Sequence, residues 1–169
     1  MSSQKTLVST PPSGGLRLVL RLPIVLYRLR LGWLLGQRFV LLEHIGRKSR
    51  QVRETVVEVV GHDRASDAYY IVSGWGKRAN WYQNLLATPR ITIQVGRRHL
   101  NVCAEPVPLA EGVRVLLDYR QNHPLATREL SRVLTGANLA KASAEELERI
   151  VQESLPIVVL RPRAEQAAF

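Results

Sequence analysis

The sequence predicts an α+β fold, mainly β: about six mostly antiparallel strands closed into a small barrel, with helices at the beginning and near the end. Three observations predict it. Six short stretches rich in Val, Ile and Leu have the length and residue types of strands, two of them within 39–60 and the others at 69–73, 91–95, 100–107 and 156–160. Most are joined by turns too short for a crossover, and hairpin-linked strands pair antiparallel. Residues 16–36 and three segments from 109 onward carry helical patterns instead. Closing such strands into a barrel removes exposed edges and leaves a groove at the rim.

In chain order, residues 1–15 are polar and rich in Ser, Pro and Gly and read as a loose tail. Residues 16–36 then read as an amphipathic helix, with Arg17, Arg21 and Arg28 on one face. Pro23 starts or kinks that helix. It either lies on an acidic membrane with its arginines at the headgroups, or packs on the domain. Next come the two strands of 39–60, FVLLEHI and an apolar run after Gln51, flanking a polar turn. That turn holds Gly46 and the cations Arg47, Lys48, Arg50 and Arg53, with Ser49 among them. Cations this close repel one another unless an anion or water lies between them. Gly46 permits a sharp turn and a close backbone approach. The rim therefore suits a phosphate or carboxylate chain, since hydrogen bonds to charged groups contribute about 1.5–3 kcal/mol each.

A turn over GHDRASDA, residues 61–68, leads to the short strand Tyr69–Ser73. Gly74 and Gly76 bracket Trp75 in a tight loop, and Asn80 is placed to cap a short helix that Pro89 ends. Trp81 and Leu85 lie one turn apart and are expected to face the core, with Asn84 beside them free to bond a loop or a ligand. Strands at 91–95 and 100–107 flank the turn Gly96–Arg98, with Leu100, Val102 and Ala104 on one side. Helices are expected over 109–121 and 126–138, and another from Ser143, where Ser143 and Glu146 form a capping box. The apolar strand 156–160 closes a single domain over 16–161, and 162–169 read as a frayed tail.

Composition narrows the function classes. In a chain of 169 residues, Lys and Arg outnumber Asp and Glu 24 to 14, a net +10 that points to an anionic partner. The single cysteine, Cys103, excludes an internal disulfide and a cysteine-based zinc site, and reads as a small buried hydrophobe. His44, His62 and His99 have no ligand-like spacing, so no metal is assigned. Aromatic residues are only 6% of the chain, and no stacking motif or recognition helix marks it as a nucleic-acid binder. No secretory signal or clean membrane span is found, so a cytoplasmic protein is expected.

Two stretches, GRKSRQVRETVV (46–57) and SGWGKRANWYQNLLATPRITIQVG (73–96), together resemble the deazaflavin-dependent nitroreductase family, also called deazaflavin-dependent quinone reductases. Gly46, Arg47, Lys48, Ser49, Arg53, Thr55 and Val57 match the first pattern; Ser73, Gly76, Trp81, Tyr82, Asn84, Leu85, Pro89 and Gly96 match the second. Three departures stand out: Arg50 where the family usually has glycine, a shortened loop lacking a proline before Trp81, and Gly74 where a basic residue is common. Lys77 or Arg78 would replace that last charge.

The resemblance implies a split β-barrel of the FMN-binding type and coenzyme F-420, an 8-hydroxy-5-deazaflavin, with FMN as second choice. The cofactor carries the hydride chemistry, so no catalytic side chain is expected. Arg47, Lys48 and Arg53, with Ser49, would take the anionic tail and phosphate. Thr55, Val56 and Val57 would offer backbone groups along one edge, and Ser73, Gly74, Gly76 and Lys77 would lie by the ring. Trp81 and Asn84 would brace the loop. Tyr27, Trp75, Tyr119 and His123 are candidates to line the pocket of a small-molecule acceptor such as a quinone, nitro compound or unsaturated ring. A monomer or homodimer is expected, with possible peripheral contact to acidic membrane through 16–36. The rival readings are a barrel binding FMN, haem, another tetrapyrrole or a fatty acid, and a non-enzymatic basic protein binding acidic membrane or nucleic acid.

Overall fold

A computed structural model describes residues 36–133 and 138–163. Residues 1–35, with Tyr27 and nearly all of the expected N-terminal helix, lie outside the described residues, as do 134–137 and 164–169. The six strands are β1 (Phe39–Ile45), β2 (Val52–Asp63), β3 (Ala68–Val72), β4 (Arg90–Val95), β5 (Arg98–Pro106) and β6 (Ile157–Pro162). They close into a barrel in the order β1-β2-β3-β6-β5-β4, and every neighbouring pair is antiparallel. The helices are α1 (Asn80–Ala87), α2 (Leu109–Asn122), α3 (Pro124–Val133) and α4 (Ala144–Glu153).

Period-two alternation builds two cores from one sheet. Val40, Leu42, Tyr69, Ile71, Ile93, Val102, Val158 and Leu160 form one cluster, to which α1 adds Trp81, Tyr82 and Leu85 while lying against β1 and β5. Tyr70, Val72, Ile157 and Val159, the alternate residues of β3 and β6, pack outward against Val113 and Leu116 of α2 and Leu147, Ile150 and Val151 of α4. Leu42, Ile71, Ile93 and Leu160 are completely buried, and each such side chain contributes about 1.5–3 kcal/mol by leaving water.

Several elements differ from expectation. β2 does not stop at Val60. Its register shifts between Val59 and Gly61, and the strand continues to Asp63. A Cβ on Gly61 would lie 3.3 Å from both Tyr70 and Val115, so this glycine makes room for α2 instead of ending the strand. β6 reaches Pro162 because β5 still offers partners, Val102 and Cys103, and the Arg163 N–H then donates to the Asn101 carbonyl at 2.9 Å. Cys103 is half-buried, not buried, because it sits on the barrel's outer side in register with Arg90 and Arg161. α3 starts at Pro124, where proline's missing N–H costs nothing. The helix at 80 is capped by Ala79, not Asn80, and no side chain caps it. Among the described residues no helix is long and apolar enough to cross a membrane.

Candidate functional site

The polar turn between β1 and β2 folds back on itself. The Gly46 N–H donates to the Gln51 carbonyl at 2.8 Å, and the Arg50 N–H donates to the Gly46 carbonyl at 2.7 Å. A Cβ on Gly46 would stand 2.6 Å from Ser49 Oγ. The space beside Gly46 is thus filled by a neighbouring hydroxyl of the same turn. That hydroxyl also accepts the Gln51 N–H at 3.4 Å and a long contact from Arg53 Nη2 at 3.5 Å. Lys48, Ser49, Arg50 and Arg53 are exposed, whereas Arg47 is half-buried.

Arg47 is held by helix α1. Its backbone N–H donates to Asn84 Oδ1 at 3.0 Å, and its guanidinium Nη1 donates to Asn84 Oδ1 and Asn80 Oδ1, both at 3.2 Å. This is where the Asn80 side chain goes in place of capping its helix. Both acceptors are neutral amides, so they satisfy N–H groups without cancelling the charge. The ion pairs Arg38–Glu58, Arg98–Asp67 and Arg161–Glu105 lie elsewhere. An aimed guanidinium, with no ion pair to a carboxylate among the described residues, is what an anion site requires.

Beneath Asn84 lies a residue for which spacing gave no role. His44 is 3% exposed; its Nε2 is 3.2 Å from Thr55 Oγ1 and its Nδ1 is 3.2 Å from Asn84 Nδ2. Asn84 Oδ1 is committed to the Arg47 N–H, so Nδ2 faces His44 as a donor. His44 Nδ1 must then accept, which leaves the proton on Nε2 to donate to Thr55. Burial, reinforced by the charge of Arg53, holds this imidazole down to about 4 from 6.5, keeping it neutral. A sequence signal did exist: His44 follows Val40 and Leu42 at period two, which places a polar group on the buried face and demands partners.

The loop after β3 reaches the same helix. Ser73 is completely buried. Its hydroxyl donates to the Gly76 carbonyl at 2.8 Å, and its carbonyl accepts the Gly76 N–H at 3.0 Å. Gly76 has φ +65°, a left-handed conformation that favours glycine. The Ser73 hydroxyl therefore closes the loop internally. Gly74 is half-buried, Lys77 is exposed, and Trp75 packs on the barrel cluster with Val59. Along β2, Val57 points into the barrel. Among the described residues, β3 pairs with β2 only from Val59 to Asp63, so the stretch holding Thr55, Val56 and Val57 is paired with β1 alone.

The structure thus joins Arg47, Thr55, Asn84 and the unpredicted His44 in one network, with Ser49 on the same turn, Arg53 at the start of β2, and Trp81 supporting α1 from the barrel cluster. Tyr119 and His123 stand apart. The Tyr119 hydroxyl donates to Glu58 Oε1 at 2.7 Å, and its ring centroid lies 5.3 Å from that of His123. Burial and the Glu58 carboxylate push this phenol up. With Val60, Gly61, His62 and Asn122 the two rings line a separate cavity, next to the bulge of β2 and not to its cationic end. His123 ends α2, and its carbonyl accepts from Thr127. Among the described residues no group of His, Cys, Asp or Glu is arranged to hold a metal.

Comparison with solved structures shows the fold. The barrel is similar to that of an F420-H2 dependent reductase, FDR-A, at TM-score 0.50 and 18% identity, covering 75% of this chain and 96% of that one. It is also similar to general stress protein 26 of Bacillus anthracis strain Sterne, at TM-score 0.50 and 10% identity, over 81% and 89% of the two chains. At these identities the likeness is one of fold. The family follows from sequence: the model of F420H(2)-dependent quinone reductases matches residues 28–129, and the chain belongs to that family. Its relatives include F420H(2)-dependent quinone reductases of Mycobacterium tuberculosis strains CDC 1551 and H37Rv, each 38% identical over 71 residues, or 40% of this chain. The match spans just under half, 46%, of each relative's length.

Proposed function

We propose that this chain is a deazaflavin (coenzyme F-420)-dependent reductase that passes hydride to a small, apolar acceptor such as a quinone, nitro compound or unsaturated ring. The observation that carries the reading is the Arg47 guanidinium, aimed by two amide oxygens of α1 and paired with no carboxylate in the ion pairs among the described residues. Family membership supplies the matching ligand. The coenzyme brings the hydride chemistry; the chain binds and orients it. Arg47, Lys48 and Arg53 face the phosphate and acidic tail, with Ser49 on the same turn. Thr55, Val56 and Val57 present backbone groups on the stretch of β2 that β3 leaves unpaired. Gly74 and Gly76, lacking side chains, let the loop approach the ring, with Lys77 beside it. The same reading has the enzyme acting in the cytoplasm, as a monomer or homodimer, with residues 16–36 touching an acidic membrane surface through their arginines.

Fluorescence titration of the purified chain with coenzyme F-420 and, separately, with FMN tests this. F-420 is expected to bind more tightly, because FMN has the phosphate but lacks the long acidic tail. Arg47→Ala and Lys48→Ala are each expected to weaken F-420 binding about tenfold or more, the worth of one charge-assisted contact. Equal or tighter FMN binding overturns the cofactor choice, and unchanged F-420 affinity in both variants removes their assigned role.

A further inference from the structure

A continuous polar chain runs from the barrel wall to the cationic turn: Thr55 Oγ1, His44, the Asn84 amide, then Arg47. His44 and Asn84, at its centre, are 3% and 5% exposed. Burying such groups is costly unless they are hydrogen-bonded, and a Val or Ile on this face of β1 would avoid that cost. The pattern of the network indicates what the histidine is for. An amide has a donor end and an acceptor end. Only with Oδ1 toward Arg47 can Asn84 receive both the backbone N–H and the guanidinium; rotated by half a turn, it would set donor against donor. Both ends of the amide therefore hold its direction: the two Arg47 donors take Oδ1, and the lone pair of His44 Nδ1 takes Nδ2 from the buried side.

We propose that His44 is a positioning residue: by accepting the Asn84 N–H it anchors the far end of that amide, and so holds the Arg47 N–H and guanidinium in ligand-binding geometry. Burial, reinforced by Arg53 opposite His44 in the β1–β2 register, keeps Nδ1 an acceptor by opposing a second proton. The consequence for coenzyme binding rests on the deazaflavin reading, whereas the consequence for Arg47 does not.

Two conservative variants separate the two sides of the ring. In His44→Asn the side-chain oxygen replaces Nδ1 and keeps the contact to Asn84. In His44→Gln the amide reaches toward the place of Nε2, keeping Thr55 and losing Asn84. Amide hydrogen exchange by NMR, on the ligand-free chain, reads the Arg47 N–H directly, with the Ile93 N–H as a control for global opening. His44→Gln is expected to speed exchange at Arg47 about tenfold with Ile93 unchanged, and to weaken F-420 binding by a similar factor. His44→Asn is expected to stay within about threefold of the parent chain in both. Unchanged Arg47 exchange in His44→Gln, equal acceleration by both variants, or acceleration matched at Ile93 each overturns the proposal. If the parent chain fails to bind F-420, the functional reading falls, and the exchange result still decides the role of His44.

Discussion

Arg50 sits in the cationic turn with φ +58°, in the left-handed region where a side chain is strained. The conformation costs an L residue about 1–2 kcal/mol and glycine almost nothing. The turn geometry asks for glycine at this position, and this chain places a further cation there in spite of the strain. Arg50→Gly is therefore expected to stabilise the chain by about 1 kcal/mol, read as a higher urea midpoint. A lower midpoint would mean that the arginine makes a contact worth more than the strain. His44 teaches a related lesson. A histidine without ligand-like partners in sequence is not idle; its partners, Thr55 and Asn84, come from another strand and a helix 40 residues on.

Among the elements, α1 and α4 begin differently, and the difference reflects what each helix does. α4 starts with a complete capping box: Ser143 Oγ accepts the Glu146 N–H at 3.2 Å, and Glu146 Oε2 accepts the Ser143 N–H at 2.8 Å. Ser143→Ala should cost about 1 kcal/mol, measurable as a lower thermal midpoint with the barrel's near-ultraviolet signal unchanged at low temperature. α1 has no such cap, because Asn80 spends its oxygen on Arg47. Its first turn is thereby committed to the cationic turn, and its stability comes from burying Trp81, Tyr82 and Leu85 against the barrel. β2 shows a third case, in which a glycine that reads as a stop is a bulge that lets α2 come close.

At the level of the whole chain, stability should depend on pH in two separate windows, one set by His44 and one by acidic groups such as Asp67. His44 is held near 4 in the folded chain against 6.5 when unfolded. Between those values the unfolded chain binds the proton and the folded chain does not, so stability falls as pH drops from about 6.5 toward 4, by up to roughly 3 kcal/mol. Asp67, bonded by Arg98, is held down to about 2 from 3.8, and its contribution is lost only below 3.8. Urea titrations across this range should show both declines. His44→Asn should abolish the upper one alone; a decline that persists there would assign it to another group.

The strands, their hairpin order, the capping box and the cation cluster could all be read from the chain, because each depends on residues a few positions apart. Period-two burial and turn chemistry are local, and so is the crowding of Arg47, Lys48, Arg50 and Arg53. The glycine-rich loop and the Trp81–Leu85 pair were readable for the same reason. Three things had to wait for the folded arrangement: Asn84 gripping Arg47 from 37 residues away, His44 anchoring the other end of that amide, and Tyr119 bonding Glu58 in a cavity of its own. Each is a contact between elements, and a hydrogen bond exists only once closure of the barrel has brought donor and acceptor within reach.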